Sequence, residues 1–269
     1  MKVSKYTKAS FLLALFLLLV LSCKQEKKAD EALEEEEMAA ALPEASFFEM
    51  RTYYCAPGRL DALQTRFRDH TMKLFEKHGM TNLAYWIPVE NPDNKLVYII
   101  GYPNEESRDA IWNSFAEDPD WKQVWEASTA DGPIVDSVEQ VFLRYTDYSP
   151  KIVAGDGGPR VFSQRTYFTP EGKLPNLHAR FRDHTLKIFE NNGMTNVAYF
   201  DLDDRHEMGD RTLIYFITFP DTTARSTSWA TFLEDPDWLE ARANSIADGP
   251  ILDSLKFELF TATDFSPLK

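Results

Sequence analysis

Two histidines recur in one context. Arg66-Phe67-Arg68-Asp69-His70-Thr71 returns as Arg180-Phe181-Arg182-Asp183-His184-Thr185. An imidazole can move a proton near neutral pH. In both blocks an arginine, Arg66 or Arg180, precedes the histidine by four residues and stacks beside it on a helix. At ~100° per residue, His70 falls at the edge of an apolar stripe, about 20° from Leu63. That position suits a pocket histidine, one held by a backbone carbonyl, and an exposed one paired to a carboxylate. Arg51 and Arg165 sit inside apparent strands and share a face with Tyr53 and Tyr167. A strand arginine facing a cavity can anchor a carboxylate, or it can pair with an internal acid such as Glu49. Tyr85 and Tyr199 can line the same pocket or belong to the core. These eight residues are the ligand-binding candidates; no catalytic residue and no metal ligand set is assigned.

Other residues read as structural. His78, His178 and His206 have no counterpart in the other block and read as surface residues. Asn82 and Asn196 serve a turn, Trp112, Trp121, Trp229 and Trp238 the core, and Asp118-Pro119-Asp120 a helix start. Cys55 is matched by Thr169, so a thiol chemistry common to both places is excluded. The net charge of -14 and a pI near 4.8 argue against a nucleic-acid footprint. No zinc-type cysteine spacing, Walker loop or GxGxxG appears.

These residues are positioned by a domain written twice. Arg51-Thr52-Tyr53, the histidine block and Gly79-Met80-Thr81-Asn82 all recur 114 residues later. Glu117-Asp118-Pro119-Asp120-Trp121 and Asp131-Gly132-Pro133-Ile134 recur 117 residues later, which places a three-residue insertion between Tyr199 and Pro220. In one copy, residues 47–54 alternate as a strand, and Leu60, Leu63, Phe67, Thr71, Leu74 and Phe75 trace one face of a helix ending at Gly79. Two strands follow (83–89 and 95–102), then a helix over 107–115, a short helix begun by Asp118-Pro119, and a strand over 134–145. The order βαββαβ is the ferredoxin-like arrangement. Its sheet has helices on one face and leaves the other bare, so two such sheets should pack face to face. The expected fold class is α+β: two tandem ferredoxin-like βαββαβ domains, 46–150 and 161–269, forming an intramolecular dimeric α+β barrel. A 151–160 linker with a Gly155-Asp156-Gly157-Gly158 hinge joins them.

The Arg-Thr-Tyr strand, the Phe-Arg-Asp-His-Thr helix, the Phe-Glu-Lys-His-Gly-Met helix end and the Asp-Pro-Asp-Trp segment resemble NIPSNAP domains, over nearly all of 47–150 and 161–267. The resemblance implies the dimeric α+β barrel, with a ligand cavity between sheet and helices. It implies little about activity, because that superfold hosts cofactor-free monooxygenases, haem-degrading enzymes, isomerases and binding modules. The leading expectation is a small-ligand binding protein or accessory enzyme using the His70/His184 and Arg51/Arg165 pockets. The alternatives are a non-catalytic module with a protein partner, and a haem-handling or monooxygenase-like enzyme. No cofactor is indicated beyond that haem alternative, which needs an inward histidine and a large apolar cleft.

The N-terminus reads as an export signal. Lys2, Lys5 and Lys8 precede an apolar run over 11–21, shorter than the ~20 residues of a spanning helix. The run ends at Val20-Leu21-Ser22-Cys23, which resembles a lipobox. The expectation is a signal peptide over 1–22, lipid on Cys23, a disordered tether over 23–45, and attachment to a cell-envelope membrane through that lipid. Metabolic labelling with a palmitate analogue should mark the wild-type chain and leave Cys23→Ser unmarked. Equal labelling of the two would rule out lipidation at Cys23.

Overall fold

The computed structural model describes residues 44–155 and 157–269. The expected signal peptide, the expected lipid site at Cys23 and the expected tether up to residue 43 lie outside them. The first copy begins with strand β1 (Phe47–Cys55). Helix α1 follows as Leu60–Arg66, a π-turn Phe67–Thr71 and Met72–Lys77, then β2 (Thr81–Pro88) and β3 (Lys95–Tyr102). Helices α2 (Glu105–Glu117) and α3 (Pro119–Thr129) and strand β4 (Val135–Tyr145) complete it. The second copy repeats the series: β5 (Val161–Phe168); α4 (Leu174–Arg180, π-turn Phe181–Thr185, Leu186–Asn191); β6 (Thr195–Leu202); β7 (Thr212–Phe219); α5 (Thr222–Glu234); α6 (Pro236–Ser245); β8 (Ser254–Ala262). The expected element order is present in both copies, and residues 44–269 form one compact unit.

The strands close into one antiparallel barrel in the order β1-β3-β2-β8-β5-β7-β6-β4. Two seams join the copies: Trp86, Ile87 and Pro88 pair with Ala262, Thr261 and Phe260, and Leu143, Arg144 and Tyr145 with Leu202, Asp201 and Phe200. The bare sheet faces therefore do meet, and their edges pair as well, which removes every open edge. Both faces of the central strands are buried, so β3 reads Leu-Val-Tyr-Ile-Ile instead of alternating. Phe48, Met50, Trp86, Val97, Ile99, Phe162, Phe216 and Phe260 share the barrel interior with other residues of both copies. Burying each such side chain contributes roughly 1.5–3 kcal/mol. Gly101 faces this interior, where a Cβ would strike Ala45 at 2.6 Å.

The outer face of each half-sheet packs on its own helices, and here the recurring histidine block finds its structural meaning. Thr71 and Thr185 are buried, and each hydroxyl donates to the carbonyl five residues earlier, on Arg66 or Arg180, at 3.1 Å. The π-turn itself is closed by backbone, the Met72 amide donating to Phe67 O and the Leu186 amide to Phe181 O. Phe67 and Phe181 enter the core, whereas Arg68 and Arg182 cross to the other copy and clasp Asp264 and Asp147 with paired bonds of 2.6–2.8 Å. The segments after β4 and β8 also cross. Ser266 Oγ accepts from the Tyr85 amide at 2.9 Å, Ser149 Oγ from Tyr199 at 2.8 Å, and Phe265 and Tyr148 pack on those tyrosine rings. Each copy thus latches the other about a pseudo-twofold axis.

Asp118 and Asp235 cap α3 and α6 through the amides of Asp120 and Asp237, at 2.8 and 2.9 Å. The three-residue insertion falls in the β6–β7 connection, residues 203–211 against 89–94, and holds the short 3-10 turn Gly209–Arg211. Gly155, expected in a hinge, is instead pinned: its amide donates to Pro267 O at 3.0 Å and its carbonyl accepts from Lys269 N at 3.1 Å. Residues 46–150 expressed alone should dimerise through the exposed edges of β2 and β4, or aggregate. Size-exclusion chromatography with light scattering tests this, and a stable monomer would contradict it.

Candidate functional site

Arg51 and Arg165 lie at matching places on β1 and β5 and are almost fully buried between sheet and helices. Each guanidinium lies over a tryptophan from the helix above: Arg51 over Trp112 at 4.3 Å, Arg165 over Trp229 at 4.4 Å. A second arginine repeats the motif from α1 and α4, with Arg66 over Trp121 at 5.4 Å and Arg180 over Trp238 at 5.1 Å. The four recurring tryptophans pack half-buried against the core, as expected, and also serve as cation platforms.

The copies differ in what neutralises the strand arginine. Glu49, with no solvent exposure, forms an ion pair with Arg51 and accepts from Tyr102 Oη at 2.9 Å. Arg108 grips the same carboxylate at 2.8–3.0 Å, and Gln140 Oε1 accepts from Arg51 at 3.0 Å. The matching positions of the second copy hold Ser163, Phe219, Arg225 and Phe257. The acid is gone and both cations remain. Arg165 donates to the Tyr167 hydroxyl at 3.4 Å, and burial, which lowers its pKa, is outweighed by the Tyr215 and Tyr167 hydroxyls, which raise it; no acid among the described residues pairs with it. Burial lowers the pKa of Arg225, helped by Arg165, and burial likewise lowers those of Arg180 and Arg66. Ser163 Oγ, Trp229 Nε1 and the Nε atoms of Arg165, Arg180 and Arg225 are buried without a partner.

Beside Arg165 lies a cavity of about 700 Å³. Arg165, Tyr167 and Leu255 form its sheet side, and Arg180, Phe181, Thr185 and Phe189 come from α4. Trp229, Phe232, Leu233, Trp238 and Arg242 close it from α5 and α6, with Ile246 and residues 249–252 at the rim. No Asp or Glu lines it. Leu233, Ile246 and Leu255 at its border are exposed. In the first copy the corresponding space, lined by Arg66, Trp125, Thr129, Ile134 and neighbours, is about 350 Å³ and does not reach Arg51.

The eight candidates separate accordingly. Arg165 and Arg180 line the large cavity, while Arg51 is consumed by Glu49. His70 and Arg66 share an open groove between α1 and α3, of about 630 Å³, with Asp120. Both His70 and His184 are exposed, and His184 does not line the cavity. Uniform α-helical spacing had placed His70 at the edge of the stripe that holds Thr71; the π-turn widens the helix there, Thr71 is buried as expected, and His70 faces outward. Tyr85 and Tyr199 are core residues. They stack on Tyr98 and Tyr215 with ring centroids 5.2 Å apart and donate to Asn82 and Asn196. A β-bulge between Asn82 and Ala84, and its counterpart between Asn196 and Ala198, brings residues three apart onto one face. Asn82 and Asn196 also donate to Met72 O and Leu186 O, both at 3.0 Å, so they tie strand to helix as well as serving the turn.

The unmatched histidines are not free surface residues. His78 bridges Asp118 and Ser114 at 2.6 and 2.9 Å. His178 meets Tyr148 and Asp201 at 2.9 and 3.0 Å. His206 Nε2 accepts from the Phe142 amide at 2.9 Å. The cavity-lining residues outside the eight candidates include Trp229, Trp238 and Arg242. The available signal was the loss of Glu49 at Ser163 inside an otherwise repeated arginine–tryptophan pattern.

A single chain that closes two ferredoxin-like sheets into one barrel defines a dimeric α+β barrel protein with a sheet–helix cavity. The NIPSNAP family model matches residues 48–150 and 162–267, and the chain belongs to the NIPSNAP family. Among solved structures, a NIPSNAP domain protein from Burkholderia xenovorans is 21% identical, covering 39% of this chain and 98% of its own, with a TM-score of 0.35. A NIPSNAP family protein from Agrobacterium tumefaciens is 21% identical over 44% of this chain and 100% of its own, at 0.36. An anthrone oxidase-like protein is 9% identical, covers 82% of this chain and 92% of its own, and reaches 0.56, a likeness of fold alone. No curated protein matches the chain.

Glu49→Ala should cost about 3–5 kcal/mol, because it leaves two buried guanidinium groups facing each other without an acid. Ser163→Ala, which removes a hydroxyl without a partner, should change stability by less than about 1 kcal/mol. Urea unfolding of both variants checks this, and equal effects would refute the asymmetry.

Proposed function

We propose that this NIPSNAP protein is an envelope-anchored binding protein whose second copy takes one small, largely apolar ligand between its sheet and helices. The observation that carries the reading is the cavity of about 700 Å³ walled by Phe181, Phe189, Trp229, Phe232 and Trp238. Its size and aromatic lining are those of a small-molecule site, with the arginines as the few polar groups that fix orientation. The exposed leucines and isoleucine at its border give such a ligand an apolar path inward. The first copy, with Glu49 in place and half the space, acts as scaffold. Anchoring rests on the lipobox-like Cys23 and the charged tether.

A haem-handling role draws no support from the histidines, because His70 and His184 are exposed and the cavity wall contains none. The anthrone oxidase-like neighbour shares the barrel, and a cofactor-free oxidation at this cavity would need a positioned base that its lining does not supply.

The test uses N-phenyl-1-naphthylamine, an uncharged probe that fluoresces in apolar sites, with residues 44–269. One probe should bind per chain. Leu255→Trp together with Ile246→Trp should weaken it by at least about tenfold by filling the entrance, while His184→Ala should leave it unchanged. Undiminished fluorescence in the filled variant would remove the cavity as the site.

A further inference from the structure

The charged groups lining the cavity are all of one sign. Arg165 and Arg180 are each less than a tenth exposed, Arg242 stands at the same wall, and no carboxylate among the described residues pairs with any of them. A buried cation without a counter-charge is costly, and the faces of Trp229 and Trp238 shield it only in part. The first copy shows what the arrangement is suited to hold: there a carboxylate, that of Glu49, sits between Arg51 and Arg108. Ser163 stands at that position in the second copy and leaves Arg165 and Arg225 without it. Trp229 Nε1, buried and without a partner, offers a further donor beside Arg165.

We propose that the cavity selects a ligand bearing a single carboxylate on an aromatic or otherwise apolar body, and that it does so in the second copy alone because Glu49 supplies the corresponding charge from within in the first. This rests on the reading that the cavity binds a small ligand. The carboxylate accepts from Arg165, with Arg180 and Arg242 adding positive potential, while the body lies against Phe189, Trp229 and Phe232. The apolar walls favour a singly charged head over a doubly charged one, whose desolvation they do not offset.

The experiment is displacement of N-phenyl-1-naphthylamine from residues 44–269 by two competitors of equal shape, 2-naphthoate and 2-naphthalenemethanol. Naphthoate should compete at least about tenfold better, as expected for charge-assisted hydrogen bonds, with one site per chain. Arg165→Met should abolish that preference while the uncharged probe still binds. Ser163→Glu, which restores the internal acid, should do the same, and retained probe binding reports that each variant is folded. Equal competition by acid and alcohol in the wild type, with the probe bound, would overturn carboxylate selection and leave the cavity reading intact. Failure of the probe to bind would instead overturn the cavity reading. Two equivalent naphthoate sites per chain would overturn the role given to Glu49.

Discussion

A guanidinium held against an apolar sheet has few ways to remain stable. It can pair with an acid, lie on an aromatic face, or wait for a ligand. Both copies of this barrel set that problem at the same point of their first strand, and both begin to solve it with the same tryptophan from the helix above. They diverge at the next step. In the first copy Glu49 gathers Arg51, Arg108 and Tyr102 into a closed network, and the helices settle over it. In the second, serine replaces the acid, phenylalanines replace Tyr102 and Gln140, and a cavity opens down to the uncompensated cation. Three substitutions around one repeated arginine accompany the change from a filled layer to a candidate binding site.

The barrel that carries these layers is held by its own necessity. Each half-sheet has a second apolar face that the helices do not reach, and closing the two around Trp86, Phe162, Phe216 and Phe260 is what buries it. Seam hydrogen bonds and crossing tails then fix how the halves meet. The Arg68–Asp264 and Arg182–Asp147 clasps are exposed enough for water to screen them, so they set register more than stability.

The fold was legible because its signals are local and written twice. The apolar stripe from Leu60 to Phe75, the Gly79 stop, the Asp118-Pro119 start and the constant offsets all survived in the structure. The site was legible only in part. Arg165 and Arg180 were identified by residue type, but the helix was read at a uniform 3.6-residue period, and the π-turn shifts the histidines out of the pocket. Tyr85 was left between pocket and core and lies in the core, on the face of Asn82, because a bulge breaks the two-residue alternation. The tryptophans were assigned to the core, and not also to the arginines, because periodicity cannot tell a side chain that packs on leucine from one that packs on a guanidinium. Such contacts join elements distant in sequence, and no local pattern encodes them.

Carrying both halves on one chain is what permits the asymmetry. A barrel made of two identical subunits must place the same residue at both charge positions, so an acid that stabilises one layer would close both cavities. Here the blocks that recur unchanged do work across the pseudo-twofold: Phe-Arg-Asp-His-Thr sets the π-turn and sends an arginine to the opposite half, and the Gly-Met-Thr-Asn segment begins the strand that the opposite tail grips. Those residues must stay complementary to each other. The ion pairs and hydrogen bonds among Glu49, Tyr102, Gln140, Arg51 and Arg108 stay within the first copy, and Glu49, Tyr102 and Gln140 each differ from their partner in the second. The clasps and tails that cross between the halves are therefore alike, while the two outer layers are free to take different tasks, one filled by its own carboxylate and one open beside a cation that no acid pairs.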